Sequence, residues 1–339
     1  MKKAVIAIGK ILLLVVAIAI AWGWYDYSRD YAEDFRERRG TLSRAELDSV
    51  GRDSLFEKSW LRLENDQSLR VVCGMLVPRA DRRRVLGQET AVPGLLRVVS
   101  GKQRYPAVIL LGGKATGKYA IDYVMNIRDV IIVAPDYPYE PRASYTMTQF
   151  LRDVPAMRKA ILDMTPSVML VADYLCSRDD VDTTRIVMLG YSFGAPFVPC
   201  IVASERRFAA AVMVFGGGDL RSLVVHNVAR YESSITADVV GWLSWLLLHP
   251  VEPLRYADRI TPIPLLMING TGDEQIPREN AELMFAEAGR PKKLIWMASR
   301  HVNPLNVDLT AQIITVLQQE LGAMNIIGDI TQPLPRPRP

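Results

Sequence analysis

Arg185-Ile-Val-Met-Leu-Gly-Tyr-Ser-Phe-Gly-Ala-Pro-Phe197 carries a short apolar run through Gly190-Tyr191-Ser192-Phe193-Gly194 into a segment of small and apolar residues. A serine that leaves a buried strand on a sharp, strained turn needs small residues two positions before and after it, because the turn lies against a neighbouring strand and helix. Gly190 and Gly194 meet that need. Ile186 to Leu189 is β-branched and apolar, of strand type, and Phe193 to Ala203 reads as the helix that follows, with Pro199 counting against it. The pentapeptide alone is common by chance, so its flanks and the rest of the chain decide the reading.

The chain has 339 residues, 49% of them hydrophobic and 23% charged, enough to bury one large α/β domain or two ordinary ones. A net charge of +4 leaves no sustained basic stripe. Arg82-Arg83-Arg84 is a run of three that reads as a solvated loop face, and no nucleic-acid partner is expected. Cys73, Cys176 and Cys200 are odd in number and lack metal or redox spacing, so they read as small core hydrophobes. His226, His249 and His301 form no His-Glu-x-x-His, and no metal is expected.

Lys2, Lys3 and Lys10 precede an unbroken apolar run from Ile11 to Trp22, followed by Trp24 and Tyr25. Residues 1–25 therefore address a membrane. Ala4 to Trp24 approaches the length of a span if Lys10 snorkels, with Trp22, Trp24, Tyr25 and Tyr27 as an interfacial belt, which favours an uncleaved anchor with an exported catalytic domain. Ala19-Ile20-Ala21 also fits a signal-peptidase site, which would make the protein secreted or periplasmic.

Residues 26–58 read as a helical stalk: Tyr27, Tyr31 and Phe35 lie at helical spacing, Gly40 stops the helix, and Ser43 with Glu46 makes a capping box for a second short helix. A domain at 59–325 then alternates strands and helices. Candidate strands are Trp60 to Leu63, Leu69 to Leu76, Ala107 to Leu111, Asp129 to Ala134, Ile186 to Leu189, Ala209 to Phe215, Pro264 to Asn269 and Lys293 to Ala298. Val168 to Leu175, Arg278 to Ala288 and Leu309 to Leu321 read as helices, as parallel-sheet units require. Between the sixth and seventh strands, residues 220–260 break the alternation and are placed like a lid, with Trp242, Trp245 and Leu246 to Leu248 supplying apolar area for a substrate; residues 326–339 form a Pro/Arg tail.

A serine hydroxyl is a weak nucleophile at neutral pH, so acyl transfer needs an imidazole in reach and a carboxylate to fix its tautomer. His301 follows the last strand in a short loop, and Asp273 sits in a glycine-bounded turn between Ser192 and His301 in chain order. Asp219, one strand earlier, is the alternative acid, and Glu274 is expected to face solvent. A rival reading rests on Gly112-Gly113-Lys114-Ala115-Thr116-Gly117-Lys118, which nearly spells a phosphate-binding loop; Tyr119 stands where that loop needs Ser or Thr to hold magnesium.

Together these motifs resemble the α/β-hydrolases, near the dienelactone-hydrolase-like and prolyl-oligopeptidase-like branches. The resemblance rests on Val-Ile-Leu-Leu-Gly-Gly at 108–113, Val-Ala-Pro-Asp-Tyr-Pro at 133–138, Val-Asp-Thr-Thr-Arg-Ile leading into the elbow at 181–194, Gly-Thr-Gly-Asp-Glu-Gln-Ile-Pro at 270–277 and Arg300-His301. It implies a doubly wound, mostly parallel sheet of about eight strands and a Ser192, His301, Asp273 triad acting on a small ester, thioester or peptide substrate, without a cofactor. It also implies the backbone amides of Phe193 and Lys114 as oxyanion donors, with Gly113 as the nearby alternative. Gly112-Gly113 departs from the His-Gly usual in such families. The competing class is a non-catalytic binding protein on the same fold, against which the complete triad argues.

Overall fold

The computed structural model describes residues 23–328 apart from positions 24, 27, 54, 80–102, 115, 125–126, 140–141 and 143–145. The expected membrane segment and the Pro/Arg tail from residue 329 onward lie outside the described residues; among those described, no helix is long and apolar enough to cross a membrane.

Strand β4 (Tyr105–Leu111) is buried at every position, as the middle of a sheet covered on both faces must be. Its side chains alternate: Ala107, Ile109 and Leu111 join one core, while Val108 and Leu110 join the other. Around it a nine-stranded sheet runs in the order β1-β2-β3-β5-β4-β6-β7-β8-β9. β1 (Leu42–Arg52), β2 (Phe56–Asn65) and β3 (Arg70–Pro78) form an antiparallel meander, and β3 joins β5 (Ile131–Pro135) antiparallel. From β5 through β4, β6 (Val181–Tyr191), β7 (Ala210–Val214), β8 (Leu265–Gly270) and β9 (Lys292–Met297) every pairing is parallel.

One core holds side chains of α1 (Tyr31–Arg39), α2 (Met147–Cys176), α3 (Phe197–Ser204) and α6 (Arg278–Glu287). The other is covered mainly by α7 (Val307–Ala323) and the chain just beyond it. A capping box starts α2, Thr146 Oγ1 accepting from Gln149 N at 3.3 Å while Thr146 N donates to Gln149 Oε1 at 3.0 Å. The helix expected at Val168 to Leu175 is only its last part, since α2 continues through Pro155 and Pro166.

The stalk expectation is corrected in two ways. Residues 42–52 form a strand, not a second helix; Ser43 Oγ donates to the Glu64 carbonyl across the β1–β2 pair at 2.9 Å and caps nothing. The strand prevails because Arg44, Glu46 and Asp48 put charge on alternate positions of an edge, where pairing to β2 satisfies the backbone that a lone short helix leaves unmet. Helix α1 does form, but Tyr31, Ala32 and Phe35 are buried in the main core, so residues 26–58 belong to the domain. The added strand raises the expected eight to nine.

The insertion contains a helical hairpin, α4 (Leu220–Ala229) and α5 (Ser234–Leu248), and then tight turns in which Val251, Tyr256, Ala257 and Ile260 return to the core. The hairpin adds no residue to either buried core, but it is tied to the body of the domain, Arg158 of α2 donating to the Leu246 carbonyl of α5. Ile326 and Ile327, assigned to the tail by sequence, are also buried. Cys73 and Cys200 are buried, Cys176 partly so, and all three are free; burial pushes the Cys200 thiol up to about 12.

Candidate active site

Strand β6 ends at Tyr191, and Ser192 follows at φ 49°, in the left-handed region that a non-glycine residue enters at a cost of about 1–3 kcal/mol. The turn Ser192–Gly194 then feeds α3. A Cβ on Gly190 would lie 2.5 Å from the Gly194 carbonyl oxygen, and one on Gly194 would lie 2.3 Å from that of Leu111. The two glycines are thus required by backbone that has no room to move.

Ser192 Oγ lies 2.7 Å from His301 Nε2, and His301 Nδ1 lies 2.8 and 3.0 Å from the two oxygens of Asp273. A carboxylate facing Nδ1 calls for a proton there, which leaves Nε2 to accept from the serine hydroxyl. Asp273 is held in turn by the backbone N–H groups of Gln275 at 2.8 Å and Ile276 at 3.0 Å. Its side chain is 1% exposed and that of His301 6%, so the pair is shielded from water. The Phe215 ring meets the His301 ring edge to face at 5.6 Å.

The alternative acid is elsewhere. Asp219, in the left-handed region, caps α4, its carboxylate accepting from Ser222 N at 3.0 Å. Glu274 lies at the surface as expected, where it accepts from His301 N at 3.4 Å and from the Arg300 guanidinium at 3.3 Å. Its own backbone N–H, helped by those two donors, holds its carboxyl below the usual glutamate range.

Sequence reasoning passed over His226 and Asn227. From α4, His226 Nε2 donates to the Glu274 carbonyl at 3.1 Å and Asn227 donates to the Gln275 carbonyl at 2.8 Å, so the insertion grips the loop that carries Asp273. No local signal marks them, since their partners lie 48 positions away.

Gly113 and Lys114 stand beside Ser192 at the end of β4, on the wall of a cavity of about 480 Å³ that His301 also lines. Lys114 and Phe193 share a second cavity of about 350 Å³, bounded by Tyr137, Met164, Leu247 and Leu248. Trp242 and Trp245 reach neither cavity; they pack on each other at 5.7 Å, with Arg221 over Trp242 and Trp245 against His249. Of the apolar residues expected to supply a substrate surface, Leu247 and Leu248 line the second cavity and the two tryptophans line neither.

The phosphate-loop rival fails on geometry. Lys118 Nζ is paired with Asp136 at 2.7 Å, and a Cβ on Gly117 would lie 2.1 Å from an Asp136 oxygen.

Residues 162–301, from within α2 to His301, match the prolyl oligopeptidase family. The uncharacterized protein YfhR of Salmonella typhimurium is 28% identical over 145 residues, 41% of this chain and 47% of that protein. The chain thus spans about half the length of the curated relatives it matches. An acetyl xylan esterase from a Thermoanaerobacterium species superposes with a TM-score of 0.59 at 14% identity, over 85% of this chain and 94% of that one. The acylaminoacyl peptidase of Pyrococcus horikoshii gives a TM-score of 0.51 at 14% identity, over 79% of this chain and 42% of the other. The chain has the α/β-hydrolase fold, and its match to the prolyl oligopeptidase family spans the stretch that carries Ser192, Asp273 and His301.

Proposed function

We propose that the protein is a serine hydrolase that cleaves an ester, thioester or amide bond through an acyl-enzyme. Ser192 Oγ attacks the carbonyl carbon while His301 Nε2 takes its proton and passes it to the departing alcohol, thiol or amine. The amides of Phe193 and Lys114, with Gly113 as the alternative, donate to the oxygen as its charge develops. Water then attacks the acyl carbon, loses a proton to His301, and frees the carboxylic acid as Ser192 regains its hydrogen. Asp273 holds the imidazole tautomer throughout.

The observation that carries this reading is the relay from Ser192 through His301 to Asp273, with spacings of 2.7 and 2.8 Å. A non-catalytic binder has no need to keep such a relay intact around a strained serine. Fluorophosphonate labelling tests it without knowledge of the substrate. Wild type labels at Ser192, Ser192→Ala does not, and His301→Ala labels only weakly; folded wild type that fails to label supports the binder instead.

We also propose that the catalytic domain is exported and held at a membrane through the N-terminal segment, or released if that segment is cut at Ala21. Two features support this. The run Ile11 to Trp22 is apolar throughout. The solvent-exposed Ile235, Val239, Trp242 and Leu246 share one face of α5, whose end is bound through Arg158 to Asp26, a few residues past that run.

A further inference from the structure

We infer that the larger cavity is the seat of a linear acyl chain, so that the substrate is a medium- or long-chain acyl ester or thioester; this rests on the hydrolase reading and deepens it. The cavity starts at Ser192 and His301 and passes down between the sheet and α7. From Gly112 at the mouth to Val108 the strand descends roughly 13 Å at the ordinary strand rise. On the facing wall, Thr310 to Leu321 covers roughly 16 Å of helix.

The sheet wall is Leu110, Ile132 and Leu189, and the helix wall is Ile314, Leu317 and Leu321. Thr116, Glu274, Gln275 and Asn303 stand among the loops of the mouth, and Thr310, near the top of α7, and Gln318, deeper, are polar side chains on the helix wall. Lys114, at the mouth, is the cation among the lining residues, so a charged end gains nothing by going in first. The hydrocarbon end enters, and the carbonyl stops beside Ser192. A sugar or peptide group placed that deep would leave most of its polar atoms without partners.

The space has a structural origin. The connection from β4 to β5 winds through a short turn at Gly117–Tyr123, and α7 is the long helix on that face, whereas α1, α2 and α3 fill the other. Protein cores close apolar voids of this size unless something is meant to occupy them.

The test compares p-nitrophenyl acetate, butyrate, decanoate and palmitate. Wild type should prefer decanoate over acetate by about tenfold or more in kcat/KM, as burial of successive methylenes implies. Leu317→Trp, with Ile314→Phe as a milder block, should lower the decanoate-to-acetate ratio by about tenfold, while Leu247→Trp in the second cavity should leave that ratio as it is. A preference for acetate, or a ratio that responds to Leu247→Trp and not to the blocks in α7, overturns the proposal.

Binding separates this from the hydrolase reading. Full-length Ser192→Ala should bind the fluorescent fatty acid cis-parinaric acid, methyl decanoate should displace it, and adding Leu317→Trp should weaken binding by about tenfold. Absence of binding in folded Ser192→Ala sinks the acyl seat even if wild type labels with fluorophosphonate. Binding without labelling or turnover sustains the seat and removes the hydrolase.

Discussion

Ser192 and Asp219 both hold left-handed backbone, yet they answer to different demands. The serine is forced there by the turn that exposes its hydroxyl. Gly194 makes the turn possible, and Gly194→Ala should cost about 3 kcal/mol, because the new methyl meets the Leu111 backbone and has no soft neighbour to displace. Thermal melting and fluorophosphonate labelling should fall together. Asp219 is instead a cap, and asparagine caps helices and accepts left-handed backbone as well as aspartate does. Asp219→Asn should leave both stability and turnover nearly unchanged. Asp273→Asn should leave the fold intact and cut turnover by roughly 10⁴-fold through loss of the correct tautomer. Paired kinetics and urea melts on the two variants separate the acid from the cap; the reverse pattern would put the acid at Asp219.

At the scale of elements, α1 is a member of the core. Phe35 is 0% exposed, and Phe35→Ala should cost about 3–5 kcal/mol in urea unfolding, where an exposed stalk would lose almost nothing. Just before α1, Asp26 accepts from Arg158 at 2.6 Å and from the Tyr31 hydroxyl, and His249 Nε2 lies 3.1 Å from its carboxylate. Burial, aided by Arg158, holds the His249 imidazole below the ordinary histidine range. The unfolded chain then takes up a proton near pH 6.5 that the folded chain resists, so this contribution to stability is complete above that pH and is lost as pH falls through the folded pKa below it. Urea midpoints should drop between about pH 7.5 and pH 5.5, and drop less in His249→Gln. These contacts also show what sequence can carry. The strands from β4 through β9 and the turns bearing Ser192, Asp273 and His301 were legible, because a parallel sheet writes itself as apolar runs punctuated by small residues. The long α2 was hidden by Pro155 and Pro166, which read as stops but are tolerated where packing outweighs a lost hydrogen bond. Strand β1 was hidden because its periodicity is that of charge on an edge, not of burial, and Ser43 with Glu46 imitates a cap. His226 and Asn227 act on a loop distant in sequence, and only folding brings them to it.

For the whole molecule, the two faces of the sheet are unequally covered, and the open edge at β1 carries Arg44, Glu46, Asp48 and Arg52 with breaks in register at Leu42/Arg44 and Ser49/Gly51. Charge and bulges on an edge discourage pairing with another sheet. The N-terminal segment should keep the full-length protein in the pellet after carbonate extraction, whereas a soluble product beginning at Trp22 would mean that the segment is removed. Asp26 bears on how such a segment would act. A protein on a loose linker sweeps through a range of orientations about its attachment. Here Asp26 is pinned to α2 through Arg158, which also binds the end of α5, and to His249. With the attachment proposed above, the mouth beside Ser192 would keep a constant bearing to the membrane, and substrates would come to it rather than be swept up by a swinging arm.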